Sequence, residues 1–173
     1  MTTATATVPQ DEVLRHFPYP SYRPYQQETL LKIATAFDQG TRFVILEVPT
    51  GGGKSGIAWT VAKHVGESYF VTAQKILQDQ YMRDFGHTLV DLKGRNAYEC
   101  WLLNKDKKPH EPRSYCDKGL CKQIGQSKLP DCFDEDAKRD SEADLDWIRC
   151  PYFRRLAQAQ AAAHTLFNFS SFL

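Results

Sequence analysis

The sequence predicts an α/β domain built on a parallel sheet and interrupted by a cysteine-rich insertion. Three observations predict it. Short apolar runs alternate with stretches of helical periodicity over residues 20–92, a rhythm that implies parallel strands joined by crossover helices. A glycine-rich turn, Gly51-Gly52-Gly53, separates one such run from the helix after it. All five cysteines, Cys100, Cys116, Cys121, Cys132 and Cys150, fall where that rhythm is lost.

Bulk properties set the frame. The chain has 173 residues, enough for one domain carrying a smaller insertion, and 42% of them are apolar, enough for a sizeable core. Its net charge of +1 points to no class of partner. Residues 1–19 read as an N-terminal segment. The opening MTTATATV has neither a basic start nor an apolar stretch, so it does not read as a signal peptide. No apolar run approaches the ~20 residues of a membrane span, and a cytoplasmic location without membrane partners is expected.

The elements follow in order. In YRPYQQETLLKIATAFDQG the apolar residues Leu30, Leu31, Ile33, Ala34 and Phe37 recur at helical spacing, and Gly40 ends the helix. RFVILEV is a continuous apolar run, expected to form a strand buried on both faces. KSGIAWTVAKHV returns to helical spacing. SYFVT is expected to be a second buried strand, and QKILQDQYMRDF a second helix. Residues 93–152 form the irregular insertion. Within it, residues 93–128 hold nine Lys/Arg against four Asp/Glu, and residues 131–146 hold eight Asp/Glu against two Lys/Arg. Few stretches there could build a core alone, so a cross-link is the expected organiser. Residues 153–173 resume regular structure, with a helix in PYFRRLAQAQAAAH and a strand in TLFNF. The apolar ending NFSSFL raises the expectation of a truncated frame or a fragment.

EVPTGGGKS, residues 47–55, carries the clearest chemistry. A strand entering a glycine turn and then a helix presents successive N–H groups, and the helix's positive end, to anionic oxygens. Thr50, Gly51, Gly52 and Gly53 form the cradle. Lys54 reaches the β- and γ-phosphates, and the Ser55 hydroxyl can ligand Mg²⁺. Val48 stands where the strict pattern has Gly. Upstream, Arg23 and Gln26 open the preceding helix, where a glutamine amide could both donate to and accept from an adenine edge. The cysteines are spaced for metal more than for disulfides in a reducing compartment. On spacing alone an iron–sulfur cluster and a closed zinc site stay nearly even.

Taken together, these segments resemble the superfamily 2 helicases of the XPD/DinG type, which carry an iron–sulfur cluster. The resemblance covers roughly residues 20–173. It rests on YRPYQ as an adenine-recognising element, EVPTGGGKS as motif I and VTAQKILQDQY as motif Ia, with Thr72, Lys75, Leu77, Gln78 and Gln80 in pattern. LKGRNAYEC resembles the entrance to the cluster domain, CPYFRRLAQAQAAAH its exit, and TLFNFSSFL the strand before motif II.

The resemblance implies an incomplete RecA-like P-loop NTPase domain holding an inserted iron–sulfur domain. It implies MgATP at Lys54 and Ser55, with Arg23 and Gln26 toward the base, and a [4Fe–4S] cluster on Cys100, Cys116, Cys121 and Cys150. Zinc stays open as the alternative metal, and Cys132 as an alternative ligand to Cys116 or Cys121. It implies single-stranded or forked DNA as partner and 5′ to 3′ movement. The residues themselves leave two readings for Tyr98, Trp101 and Tyr115, interleaved with basic residues: stacking on bases, or burial around the cluster behind a solvated basic face. Motif II, Asp-Glu-x-His, is absent from the sequence, so the chain alone is expected to be inactive. Two alternatives remain: a metal-stapled single-stranded-DNA-binding module that binds nucleotide, and a subunit paired with a separate polypeptide supplying the rest of the motor.

Overall fold

The computed structural model describes residues 10–121, 132–133 and 145–169. The chain divides into two compact units, Met1–Ser68 and Tyr69–Leu173.

In the first unit a 3-10 turn, Gln10–His16, packs on two helices, α1 (Gln26–Asp38) and α2 (Lys54–Val65). Helical spacing places Leu30, Ile33 and Ala34 on one stripe of α1. They bury against Val13 of the turn and Ile57 of α2, with Leu14, Phe17 and Tyr22 around the edge. Tyr22 donates its hydroxyl to Leu14 O at 3.1 Å and stacks on Phe17 at 4.1 Å between centroids, fixing the turn to the start of α1. The helix stops where Gly40 was expected to stop it. Gly40 adopts φ +86, its N–H returns to Phe37 O, and that of Thr41 to Ala36 O. This pair of bonds is the Schellman closure, which needs a residue without Cβ at the left-handed position.

RFVILEV departs from expectation. Residues 42–48 belong to no strand, and Phe43 and Ile45 are 84% and 98% exposed. Among the described residues, none of the backbone groups of residues 42–47 enters a ladder or turn bond. Apolar, β-branched composition supplies only the tendency; a strand exists through its ladder. No described strand of the first unit offers one.

The second unit holds a three-stranded sheet in the order β1-β3-β2, where β1 is Ser68–Thr72, β2 Val90–Leu92 and β3 His164–Asn168. β2 and β3 run parallel, with Val90 opposite Thr165 and Leu92 opposite Phe167. The central strand is the most buried, with Thr165 and Leu166 fully enclosed. SYFVT forms β1 as expected, but only half of it is covered: Tyr69 and Val71 are 71% and 41% exposed. β1 lies at the sheet edge with one face open, so a continuous apolar run did not mean burial on both faces. β2 escaped the sequence reading because three residues, one of them aspartate, carry no periodicity.

α3 (Lys75–Phe85) and α5 (Pro151–Ala161) flank this sheet, both where the sequence placed helices. Arg155 of α5 ties itself to β2, donating Nε to Asp91 O at 2.7 Å and Nη2 to the Asp91 carboxylate. Between β2 and α5, the elements among the described residues are short: a 3-10 turn at Arg95–Ala97, the single-turn helix α4 (Trp101–Asn104), and 3-10 turns at Cys116–Lys118 and Leu145–Trp147. Two isolated antiparallel bridges, Glu99 with Tyr115 and Phe133 with Ile148, join them.

Candidate functional site

The phosphate loop is built as a tight turn feeding α2. Gly52 N donates to Pro49 O at 3.0 Å, and Gly51 and Gly53 take φ values of +83 and +82. Both lie in the left-handed region that glycine enters without a Cβ penalty. A Cβ on Gly52 would strike the Val48 side chain. Gly53 is the N-cap of α2, and its carbonyl accepts from Ile57 N at 3.2 Å. The N–H groups of Gly53 and Lys54 donate to no described residue, leaving them as open donors at a helix N-terminus.

Three side chains close on the loop's carbonyls. Lys54 Nζ donates to Val48 O at 2.7 Å and Pro49 O at 3.2 Å. Arg23 Nη1 donates to Gly51 O. Gln26 Nε2 approaches Gly52 O at 3.4 Å and Gly53 O at 3.3 Å. Thr50 is exposed and Ser55 half-buried. Beside the loop lies a cavity of ≈ 240 Å³, bordered by Tyr25, Gln26, Thr29, Glu47, Val48 and Gly52 among others. Arg23, Gln26, Thr50, Gly51, Gly52, Gly53, Lys54 and Ser55 therefore converge on one loop, although Gln26 is only 3% exposed.

The five cysteines converge as well. Cys100, Cys116, Cys132 and Cys150 are buried in one cluster with Ile148 and Phe153, and half-buried Cys121 packs against it. Cys116 Sγ lies 3.9 Å from Cys150 Sγ. Cys150 caps α5, where the N–H groups of Tyr152 and Phe153 favour its thiolate. The hydrogen bond from Cys116 is the main force holding the Cys150 thiol below the ordinary thiol range. Burial opposes it, and Arg95 adds to the lowering. That same hydrogen bond, with burial, pushes Cys116 up. Arg95 Nη1 donates to Cys121 Sγ at 3.2 Å while its guanidinium stacks 4.6 Å from the Tyr152 ring.

Gly119 sits among the sulfurs. A Cβ there would lie 3.3 Å from Cys121 Sγ and 3.6 Å from Cys100 Sγ. The donor set, buried thiols around a helix N-terminus, an arginine and a glycine gap, suits a thiolate-bound metal. As placed, no three His, Cys, Asp or Glu side chains among the described residues are grouped to hold a metal ion. Burial ranks the cysteines differently from their spacing: Cys132 is inside and Cys121 is at the rim.

A third feature is a cleft of ≈ 680 Å³ in the second unit. Lys75 and Gln78 of α3, Lys93, Arg95, Asn96 and Tyr152 are among its lining residues. Lys93 is already paired with Asp79 at 3.1 Å. Gln78 is 1% exposed, donates to Leu92 O at 3.4 Å, and leaves its Oε1 without a partner among the described residues.

The three aromatics divide. Tyr98 is turned to structure: its hydroxyl accepts from Lys93 N and its ring meets Tyr152 edge-on. Trp101 has Lys105 Nζ at 5.8 Å and Arg149 Cζ at 5.2 Å from its ring. Tyr115 is 41% exposed. Arg95 and Gly119 were not singled out from sequence as neighbours of the cysteines, since only their closeness to sulfur marks them. The Arg in KGRNAYEC and the Gly in CDKGLC offered no signal of their own.

No helix among the described residues is long and apolar enough to cross a membrane. Comparison with curated proteins and with solved structures gives no significant match. The family described as the type III restriction enzyme Res subunit, ResIII, matches residues 20–133, which include the phosphate loop, α3 and four of the five cysteines. The match identifies a helicase-like N-terminal domain of superfamily 2 with a helicase/ATPase type of function, in keeping with the α/β fold and the loop geometry. The chain belongs to the ResIII family.

Proposed function

We propose that the chain is the N-terminal part of an ATP-dependent DNA helicase of the XPD/DinG iron–sulfur type, acting 5′ to 3′ by resemblance. The observation that carries this reading is the gathering of Cys100, Cys116 and Cys150 in one buried cluster, with Cys121 packed against it, in a chain that also bears a phosphate loop. Lys54 would leave the carbonyls of Val48 and Pro49 for the more strongly attracting phosphate oxygens. Ser55 would ligand Mg²⁺, and the open N–H groups of Gly53 and Lys54 would take the remaining phosphate oxygens. The insertion, about residues 93–152, would be held by the four thiolates, and a [4Fe–4S] group there supplies a cross-link among segments that have little core of their own. The chain contains no Asp-Glu-x-His, so binding without turnover is the activity proposed for it alone; ATP cleavage would need acid groups from outside it.

The cleft lined by Lys75, Arg95 and Asn96 is the proposed path of single-stranded DNA. Its cationic groups suit a phosphate backbone, and the release of counterions makes such binding salt-dependent. Lys75→Ala should weaken binding of a single-stranded oligonucleotide and reduce the slope of log K against log salt by about 0.7. Lys93→Ala should do less, because Asp79 and Asp91 already neutralise Lys93. Equal slopes for the wild type and Lys75→Ala would place the DNA elsewhere.

One observation favours a second reading. The 3.9 Å between Cys116 and Cys150 sulfurs is close to the edge, about 3.8 Å, of a tetrahedron with Zn–S bonds of about 2.3 Å. In that reading the chain is a zinc-stapled, nucleotide-binding module that holds single-stranded DNA.

A further inference from the structure

Two histidines that belong to neither the phosphate loop nor the cysteine cluster face each other in the first unit. His16 ends the Gln10–His16 turn, and His64 lies in the last turn of α2. Their ring centroids are 6.0 Å apart with the planes tilted by 52°, and both side chains are half-buried. The turn and α2 pack on one another, with Val13 and Ile57 in a shared core. The packing that builds this core therefore also brings the two rings together.

The groups around His16 make its protonation costly in the folded chain. Its own turn supplies Glu12 and Arg15, and α2 supplies His64 and Lys63. Lys63 also lies over the ring of buried Trp59, with Nζ 6.0 Å from the centroid. α1, which packs on the turn as well, adds no charged group to this set among the described residues. Burial acts first, then His64 and Lys63, with Arg15 adding to them. Together they hold the His16 imidazole below its ordinary range against the pull of Glu12. In the unfolded chain these neighbours disperse, so His16 there takes its proton at about pH 6.5. As pH falls through that value the unfolded state binds more protons than the folded one, and stability present at neutral pH is lost.

We propose that His16 and His64 form an acid-sensitive latch between the Gln10–His16 turn and α2, closed while at most one ring carries a proton and pushed open when both do. Two imidazolium ions at this separation, with Lys63 and Arg15 beside them, repel one another, and histidine is the side chain whose charge changes close to neutrality. The latch sits at the opposite end of α2 from the phosphate loop. It stands independently of the nucleotide and metal readings above.

The experiment follows the histidine ring signals by NMR and the melting temperature of the full chain as pH is lowered. The chains compared are the wild type, His16→Gln, His64→Gln, the double variant and His87→Gln. Between about pH 7.5 and about pH 5.5 the wild type is expected to lose about 3 °C more than the double variant, the shift that a tenfold change in the folding constant gives in a chain of this size. Each single variant should recover most of that difference, because either substitution breaks the pair. His87, exposed and in the other unit, is the control, and His87→Gln should track the wild type. The titration midpoint of His16 should rise in His64→Gln. If His16→Gln fails to fold, that midpoint in His64→Gln still decides the matter. A midpoint unmoved by His64→Gln, or equal acid losses in the wild type and the double variant, would overturn the proposal.

Discussion

Cys150→Ser is expected to strip the proposed metal from the chain and to open the insertion to proteolysis. Cys150 is buried, caps α5 and sits 3.9 Å from Cys116. Its thiolate form is favoured by the hydrogen bond from Cys116, by two backbone N–H groups and by Arg95. Serine in its place is a poor ligand to soft metals and leaves that hydrogen bond and packing against Ile148 and Phe153 badly replaced. The segments on either side, α4 and the 3-10 turns, are three or four residues long, too short to persist without tertiary contacts. With the proposed cluster bound, metal binding and folding would be coupled, and the binding energy of the metal would become folding energy. Cleavage should concentrate between residues 93 and 150, while the Gln10–His16 turn, α1 and α2 survive. Cys132→Ser provides the contrast, since the proposed ligand set omits it, and should keep its metal. Full metal content in Cys150→Ser, or loss in Cys132→Ser alone, would mean that the ligand set is wrong.

Lys54→Ala should reduce affinity for MgATP by about a hundredfold. Charge-assisted hydrogen bonds contribute roughly 1.5–3 kcal/mol each. Losing about 3 kcal/mol at the phosphates corresponds to about two decades in Kd. Lys54 is exposed and its present partners are two loop carbonyls that can turn to water. The melting of the chain should barely change, so the loss would be read as a loss of binding. Titration calorimetry with ATP checks it, and a Kd within threefold of the wild type would remove Lys54 from the site.

The part of this fold legible in the sequence is the part fixed by local chemistry. Gly40 stops α1 because the closing turn needs a left-handed residue, and glycine marks such a turn in any sequence. Pro151 at the first turn of α5 and the amphipathic spacing of α3 are equally local. The phosphate loop was readable for the same reason: Gly51 and Gly53 both occupy positive φ. What was not legible depends on partners. Phe43 and Ile45 carry the composition of a buried strand, yet their exposure depends on whether another strand lies beside them. Tyr69 and Val71 repeat the lesson at the edge of the sheet. Gln26 was read at a helix start with its amide toward an adenine edge; its burial depends on a loop 26 residues further along the chain. The cysteines were readable as a group. Their order of burial was not, because Cys121 and Cys132 differ in the company they keep rather than in spacing.

The most direct test is the content of iron, zinc and acid-labile sulfide in anaerobically purified chain, measured with its absorption spectrum. The account predicts about four irons and four sulfides per chain with broad absorption near ~400 nm, as four thiolates on a [4Fe–4S] cluster require. One zinc per chain, with no sulfide and no visible absorption, would contradict it and leave the zinc-stapled nucleotide-binding module in its place.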